Sequence, residues 1–122
     1  MGKLKVLVVD DDNTILQAVW LWLYPAGHDV VTRNSPFGTS QQILRLEPDV
    51  VVLDLEMPGL RGDALAEMIR NKQRKIGVIF YSGKDPGELQ DLARQHGAIG
   101  AIPKSVHGDE FVRLFNRLTS RL

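Results

Sequence analysis

Residues 49–54 read Asp-Val-Val-Val-Leu-Asp. Val50, Val51, Val52 and Leu53 leave this stretch no polar face, and three of the four are β-branched, which favours extended backbone. A strand without a polar face must be covered on both sides, the situation of a parallel sheet flanked by helices. This segment alone points to an α/β fold.

The rest of the chain alternates accordingly. Lys5 to Val9 is a second short apolar run, ending in Asp10-Asp11-Asp12. Ile15, Leu16, Val19, Trp20 and Leu23 follow at helical spacing, with Asp12 or Asn13 as the cap, until Pro25 and Gly27 stop the helix. Leu21 and Trp22 fall off that stripe, as a small exposed patch or under the chain ends; incidental burial is preferred to a partner site. Asp29 to Arg33 reads as a strand. Ser35-Pro36 reads as a helix start, with Ile43, Leu44 and Leu46 facing the core until Pro48.

Met57-Pro58-Gly59 makes a turn, and Gly62 to Lys72 a helix with Leu65, Met68 and Ile69 inward. Ile76 to Tyr81 is a strand, Pro86 to His96 a helix with Gly97 past its end, and Ile99 to Ile102 a short strand. Asp109 to Ser120 is the last helix, built on Phe111, Leu114, Phe115 and Leu118. Five β-α units imply right-handed crossovers and a doubly wound parallel sheet.

The 122 residues suit one domain with its own core. Fifteen basic and 15 acidic residues cancel, so nothing electrostatic favours nucleic-acid binding by this domain. The absence of cysteine excludes disulfides and thiolate metal sites. No apolar run reaches the ~20 residues of a membrane span. The first residues do not read as a signal peptide, so a cytoplasmic location is expected.

In open sheets of this type, sites form at the carboxyl ends of the strands. Those ends carry Asp10, Asp11 and Asp12, then Asp54, then Ser82, then Lys104. Clustered carboxylates favour a cation or a raised pKa. Hard oxygen donors suit Mg²⁺, which takes one or two carboxylates together with phosphate oxygens. A carboxylate nucleophile can form an aspartyl phosphate, while a metal and a lysine neutralise the phosphoryl group and a hydroxyl donates to it.

At these residues the chain resembles the receiver domains of two-component response regulators, chemotaxis-regulator-like, over essentially its whole length. Val8-Val9-Asp10-Asp11 resembles the family's acidic pair. Asp54, with Met57-Pro58 and Gly62 after it, resembles the phosphoacceptor segment. Ser82-Gly83 resembles the hydroxyl-plus-small pair, and Lys104 the family's lysine. The resemblance implies a single receiver domain over 1–122, with a flavodoxin-like five-stranded parallel sheet of order 2-1-3-4-5 and five helices. It implies Mg²⁺ bound by Asp10, Asp11, Asp54 and the backbone carbonyl of Glu56. Asp54 would accept phosphate from a phosphohistidine of a sensor histidine kinase or histidine phosphotransfer protein, with Ser82 and Lys104 contacting the phosphoryl group. That is a phosphorelay signalling module rather than a conventional enzyme, catalysing only its own phosphorylation and dephosphorylation.

Three departures from the family pattern stand out. Pro103-Lys104-Ser105 replaces the usual Lys-Pro, whose peptide bond is cis. A cis bond to a non-proline residue costs about 2.5–4 kcal/mol, so a trans Lys104–Ser105 bond and a rearranged loop are expected. Ala101 stands where many receivers carry an aromatic switch residue, so ring-gated coupling cannot operate there. Glu56 and Lys84, two residues past Asp54 and Ser82, flank the phosphoryl position and could bridge its mouth against an attacking water.

Two other functions compete. A pseudo-receiver would serve as a constitutive binding surface without phosphorylation. A small Mg²⁺-dependent phosphatase also uses an aspartyl phosphate, but resembles a strand ending in Asp-x-Asp, and this chain has little room for a substrate cap. Arg113, Arg117 and Arg121 could pair with Glu88 and Asp91 across a homodimer face made by the fourth helix, fifth strand and fifth helix; a solvated charged face explains them equally well. His28, His96 and His107 lack ligand spacing and read as surface or helix-end residues.

Overall fold

The computed structural model describes residues 2–57, 69 and 75–122. Five strands, β1 (Lys5–Val9), β2 (Asp29–Arg33), β3 (Val50–Leu53), β4 (Gly77–Ser82) and β5 (Gly100–Pro103), form one sheet of order β2-β1-β3-β4-β5. All four pairings are parallel, with Val9 opposite Leu53, Leu53 opposite Phe80, and Ser82 opposite Pro103. Four helices lie among the described residues: α1 (Asn13–Leu23), α2 (Thr39–Leu46), α3 (Pro86–Gln95) and α4 (Gly108–Thr119). The helix expected over 62–72 and the turn at Pro58-Gly59 lie outside the described residues, apart from Ile69, which is buried.

The alternation of side chains along the strands builds two cores. Leu7, Val9, Val51, Leu53, Val78 and Phe80 face α2 and α3 through Ile43, Leu89 and Ala93. Val6, Val8, Val52, Ile79, Tyr81 and Ile102 face α1 and α4 through Leu16, Val19, Phe111 and Phe115. Each such fully buried side chain is worth about 1.5–3 kcal/mol, which explains why a strand apolar on both faces is stable only here.

Local chemistry sets the helix ends. The Asp12 carboxylate accepts the Thr14 N–H at the start of α1. Asp85 accepts from Gly87 and Glu88, and Pro86 occupies the first turn of α3, where no N–H is needed. Gly97, at φ 70°, follows α3 in the left-handed region, as expected.

Four expectations are corrected. Ser35-Pro36 does not start a helix. The Ser35 hydroxyl accepts the Phe37 N–H at 3.2 Å, the Thr39 N–H donates to the Pro36 carbonyl at 3.2 Å, and Gly38 at φ 77° interrupts any helical path. α2 therefore begins at Thr39. Leu44 is exposed, because Thr39 and Ile43, one turn apart, define the buried stripe and Leu44 lies ~100° away from it.

On α1 the expected core residue Trp20 lies at the surface and Leu21 is exposed, while Trp22 is covered, as preferred. Trp22 packs on Phe111 with ring centroids 5.3 Å apart, whereas Trp20 stacks on Tyr24 at the surface. The neighbouring α4 draws the buried stripe toward Ile15 and Trp22. His28 is neither exposed nor at a helix end. It is buried, its Nδ1 accepts the Leu4 N–H at 3.2 Å, and its ring meets the edge of Phe115. His96 and His107 do cap helices.

Candidate functional site

The order β2-β1-β3 means that the chain leaves β1 in one direction and returns on its other side as β3. The crevice at that switch opens between the carboxyl ends of β1 and β3. Asp10 follows β1 and Asp54 follows β3, held in step by Asp10 N–H to Arg33 carbonyl (3.1 Å) and Asp54 N–H to Val9 carbonyl (3.0 Å). Both carboxylates are buried, at 2% and 5% exposure, whereas Asp11 is exposed. One oxygen from each of Asp10, Asp11 and Asp54 lies within 4.8 Å of the others.

Each buried acid has a local anchor. Asp10 Oδ1 accepts the Asp12 N–H at 2.9 Å, and Asp54 Oδ1 accepts the Glu56 N–H at 3.3 Å. Lys104 enters from the end of β5. Its Nζ is 2.8 Å from Asp10 Oδ2 and 3.4 Å from Asp54 Oδ1. No peptide bond among the described residues is cis, so Lys104–Ser105 is trans as expected, and the ammonium still reaches both acids.

The electrostatics follow from burial. Desolvation, with the Asp10 charge second, raises the Asp54 carboxyl above the ordinary Asp value, although Lys104 and the Glu56 N–H oppose this. For Lys104, burial alone would favour the neutral amine. The hydrogen bond to Asp10 and the charges of Asp54 and Asp10 outweigh it and hold the ammonium above its usual value. The site thus pairs a reluctant carboxylate with a firmly charged lysine.

Ser82 ends β4, 1% exposed. Its hydroxyl accepts the Lys84 N–H at 3.2 Å and its carbonyl accepts the Lys104 N–H at 2.8 Å. At the mouth, Lys84 Nζ lies 3.1 Å from Glu56 Oε1 and 3.9 Å from Glu88 Oε1, so the expected Glu56–Lys84 bridge forms.

Residues 6–116 match the response regulator receiver domain family. The chain belongs to that family. As a receiver domain it is similar to the DNA-binding transcriptional regulator NtrC of Escherichia coli (strain K12), 31% identical over 115 residues, 94% of this chain and 24% of the relative. It is also similar to protein-glutamate methylesterase/protein-glutamine glutaminase 1 of Anaeromyxobacter dehalogenans, 34% identical over 102 residues, 82% of this chain and 29% of the relative. The chain therefore spans about a quarter of the length of these relatives. Among solved structures, the chemotaxis response regulator CheY4 of Vibrio cholerae shares the fold, with a TM-score of 0.88 at 23% identity, over 96% of this chain and 99% of that one. Among the described residues, no helix of the receiver is long and apolar enough to cross a membrane.

The sequence reading missed one residue at the site's edge. Tyr81 was legible only as an apolar strand position, yet its buried hydroxyl donates to the Val106 carbonyl at 2.8 Å. The available signal was a phenol following the apolar run Val78-Ile79-Phe80, since a buried Tyr O–H needs a partner. Desolvation, with the Asp10 charge second, pushes this phenol up to about 12, so it remains a donor at neutral pH.

Proposed function

We propose that residues 1–122 act as a single receiver domain whose Asp54 accepts a phosphoryl group from a phosphohistidine, supplied by a sensor histidine kinase or a histidine phosphotransfer protein in the cytoplasm. The observation that carries this reading is the Lys104 ammonium lying between two buried carboxylates, with a third acid within 4.8 Å of both. Three hard oxygen donors at one strand-end crevice fit a divalent cation. Asp10, Asp11, Asp54 and the Glu56 backbone carbonyl would hold Mg²⁺, which when bound neutralises charge on the phosphoryl oxygens.

An Asp54 carboxylate oxygen attacks phosphorus in line with the departing imidazole. The P–N bond breaks, its electron pair stays on the imidazole nitrogen, and an acyl phosphate forms. Lys104 follows the developing charge from the Asp54 oxygen to the phosphoryl oxygens. The Ser82 hydroxyl, buried and free to rotate, donates to one of them. Hydrolysis by water later restores Asp54. The reaction modifies the chain itself, so the output is a change of surface rather than a released product.

A homodimer through α3, β5 and α4 would have to draw acids from existing partners: Asp91 pairs with Arg94 and Glu88 with Lys84. Sedimentation velocity with and without Mg²⁺ and donor tests it.

The deciding experiment is intact mass after incubation with Mg²⁺ and a small phosphoramidate, beside Asp54→Asn. One added phosphoryl group, dependent on Mg²⁺ and absent from the variant, is expected. No uptake from this donor or from a phosphohistidine protein, with Mg²⁺ binding intact, makes the chain a pseudo-receiver. Turnover of unrelated phosphate esters would instead make it a phosphatase.

A further inference from the structure

The turn that carries Lys104 is gripped by two consecutive residues of β4. At its start the Lys104 N–H donates to the Ser82 carbonyl at 2.8 Å. Within it the Val106 N–H donates to the Pro103 carbonyl at 2.9 Å, closing a four-residue turn with Lys104 and Ser105 at its centre. At its end the Val106 carbonyl accepts the Tyr81 hydroxyl at 2.8 Å.

The tyrosine is itself immobilised. It is 1% exposed, and its ring meets Phe111 of α4 edge-on at 5.0 Å, while Phe111 is also in contact with Trp22. The turn has no proline after the lysine to restrict its backbone, and Ser105 is exposed. Among the described residues the Ser105 side chain adds no bond to the turn, and that of Lys104 goes to Asp10 and Asp54. The turn's end is held by the Tyr81 hydroxyl and by Val106 packing against the α1–α4 core.

We propose that Tyr81 is a positioning residue for Lys104, its hydroxyl clamping the far end of the Pro103–Val106 turn so that the ammonium is presented to Asp10 and Asp54. The inference rests on the receiver reading for its chemistry, but the clamp is a geometric claim that can be read without phosphoryl transfer. Misplacing a charge-neutralising group by a fraction of an ångström slows a reaction without abolishing it.

Tyr81→Phe keeps the ring and removes the clamp. Uptake from phosphoramidate under Mg²⁺ is expected to slow about five- to tenfold, the rate equivalent of one lost hydrogen bond. In a Lys104→Ala background the same change is expected to do nothing further, because the residue it acts through is gone. The Lys104 Nζ resonance in ¹⁵N NMR is expected to be sharp in the wild type and to broaden in Tyr81→Phe and equally in Tyr81→Leu. An unchanged uptake rate with a sharp resonance overturns the proposal. So does an equal slowing in both backgrounds, which marks Tyr81 as general packing. If the wild type accepts no phosphoryl group at all, the receiver reading fails, and the Nζ resonance alone decides on the clamp.

Discussion

The Lys104 ammonium sits closer to Asp10, at 2.8 Å, than to Asp54, at 3.4 Å. A lysine placed this way would compete with a divalent cation for Asp10 while leaving Asp54 partly free. Removing it should therefore separate two properties. Lys104→Ala is expected to bind Mg²⁺ several-fold more tightly than the wild type and to take up phosphate roughly 10²-fold more slowly, the usual scale for losing one group aimed at developing charge. Calorimetric titration with Mg²⁺ and timed intact mass check the two arms. Weaker Mg²⁺ binding in the variant would contradict the competition.

The Glu56–Lys84 bridge spans the mouth of the site at 3.1 Å, with Glu56 largely exposed. Exposed pairs contribute only ~0–1 kcal/mol to folding. The double variant Glu56→Ala, Lys84→Ala should thus melt close to the wild type but shorten the aspartyl-phosphate lifetime, by about fivefold at most if the bridge's whole worth opposes water entry. Decay of the phosphorylated mass after donor removal measures it. An unchanged lifetime removes the bridge from the mechanism.

Asp54 is raised above the ordinary value of 3.8 by burial and by Asp10. The folded chain then binds this proton more tightly than the unfolded one. The stability belongs to the protonated form: it is present below the unfolded value and lost as pH rises through the raised folded value. Asp54→Asn should accordingly raise the melting midpoint at neutral pH without Mg²⁺, and the gain should vanish at about pH 3. Thermal melts at the two pH values suffice, and a variant that melts lower at neutral pH would show that Lys104 outweighs the repulsion.

Tyr81 titrates near 12 in the fold against 10 in an unfolded chain. Its contribution is complete below pH 10 and drains away as pH climbs toward 12, roughly 3 kcal/mol in all. Urea unfolding at increasing alkalinity should show this limb in the wild type and not in Tyr81→Phe, with the other titrating groups common to both. Parallel curves would refute it.

Much of this receiver could be read along the chain. The strands were legible because a residue run with no polar face has one stable environment, and Val50–Leu53 is such a run. Asp10, Asp54, Ser82 and Lys104 were legible because each directly follows or ends a strand, and a parallel sheet brings all such ends to one edge. Those are local patterns combined with a topological rule.

What the chain could not disclose depends on partners far away in sequence. Periodicity shows that α1 has a buried stripe but not its phase, and α4 chose Trp22 over Trp20. His28 is buried because Leu4 and Phe115 meet it from opposite ends of the chain. Tyr81 reaches Val106 across 25 residues to hold the turn of Lys104. Local propensity and patterning determined which residues become strands and which strand ends carry charge. Only packing between distant elements decided which side chains those elements hold in place, because that free energy is realised only when both partners are present.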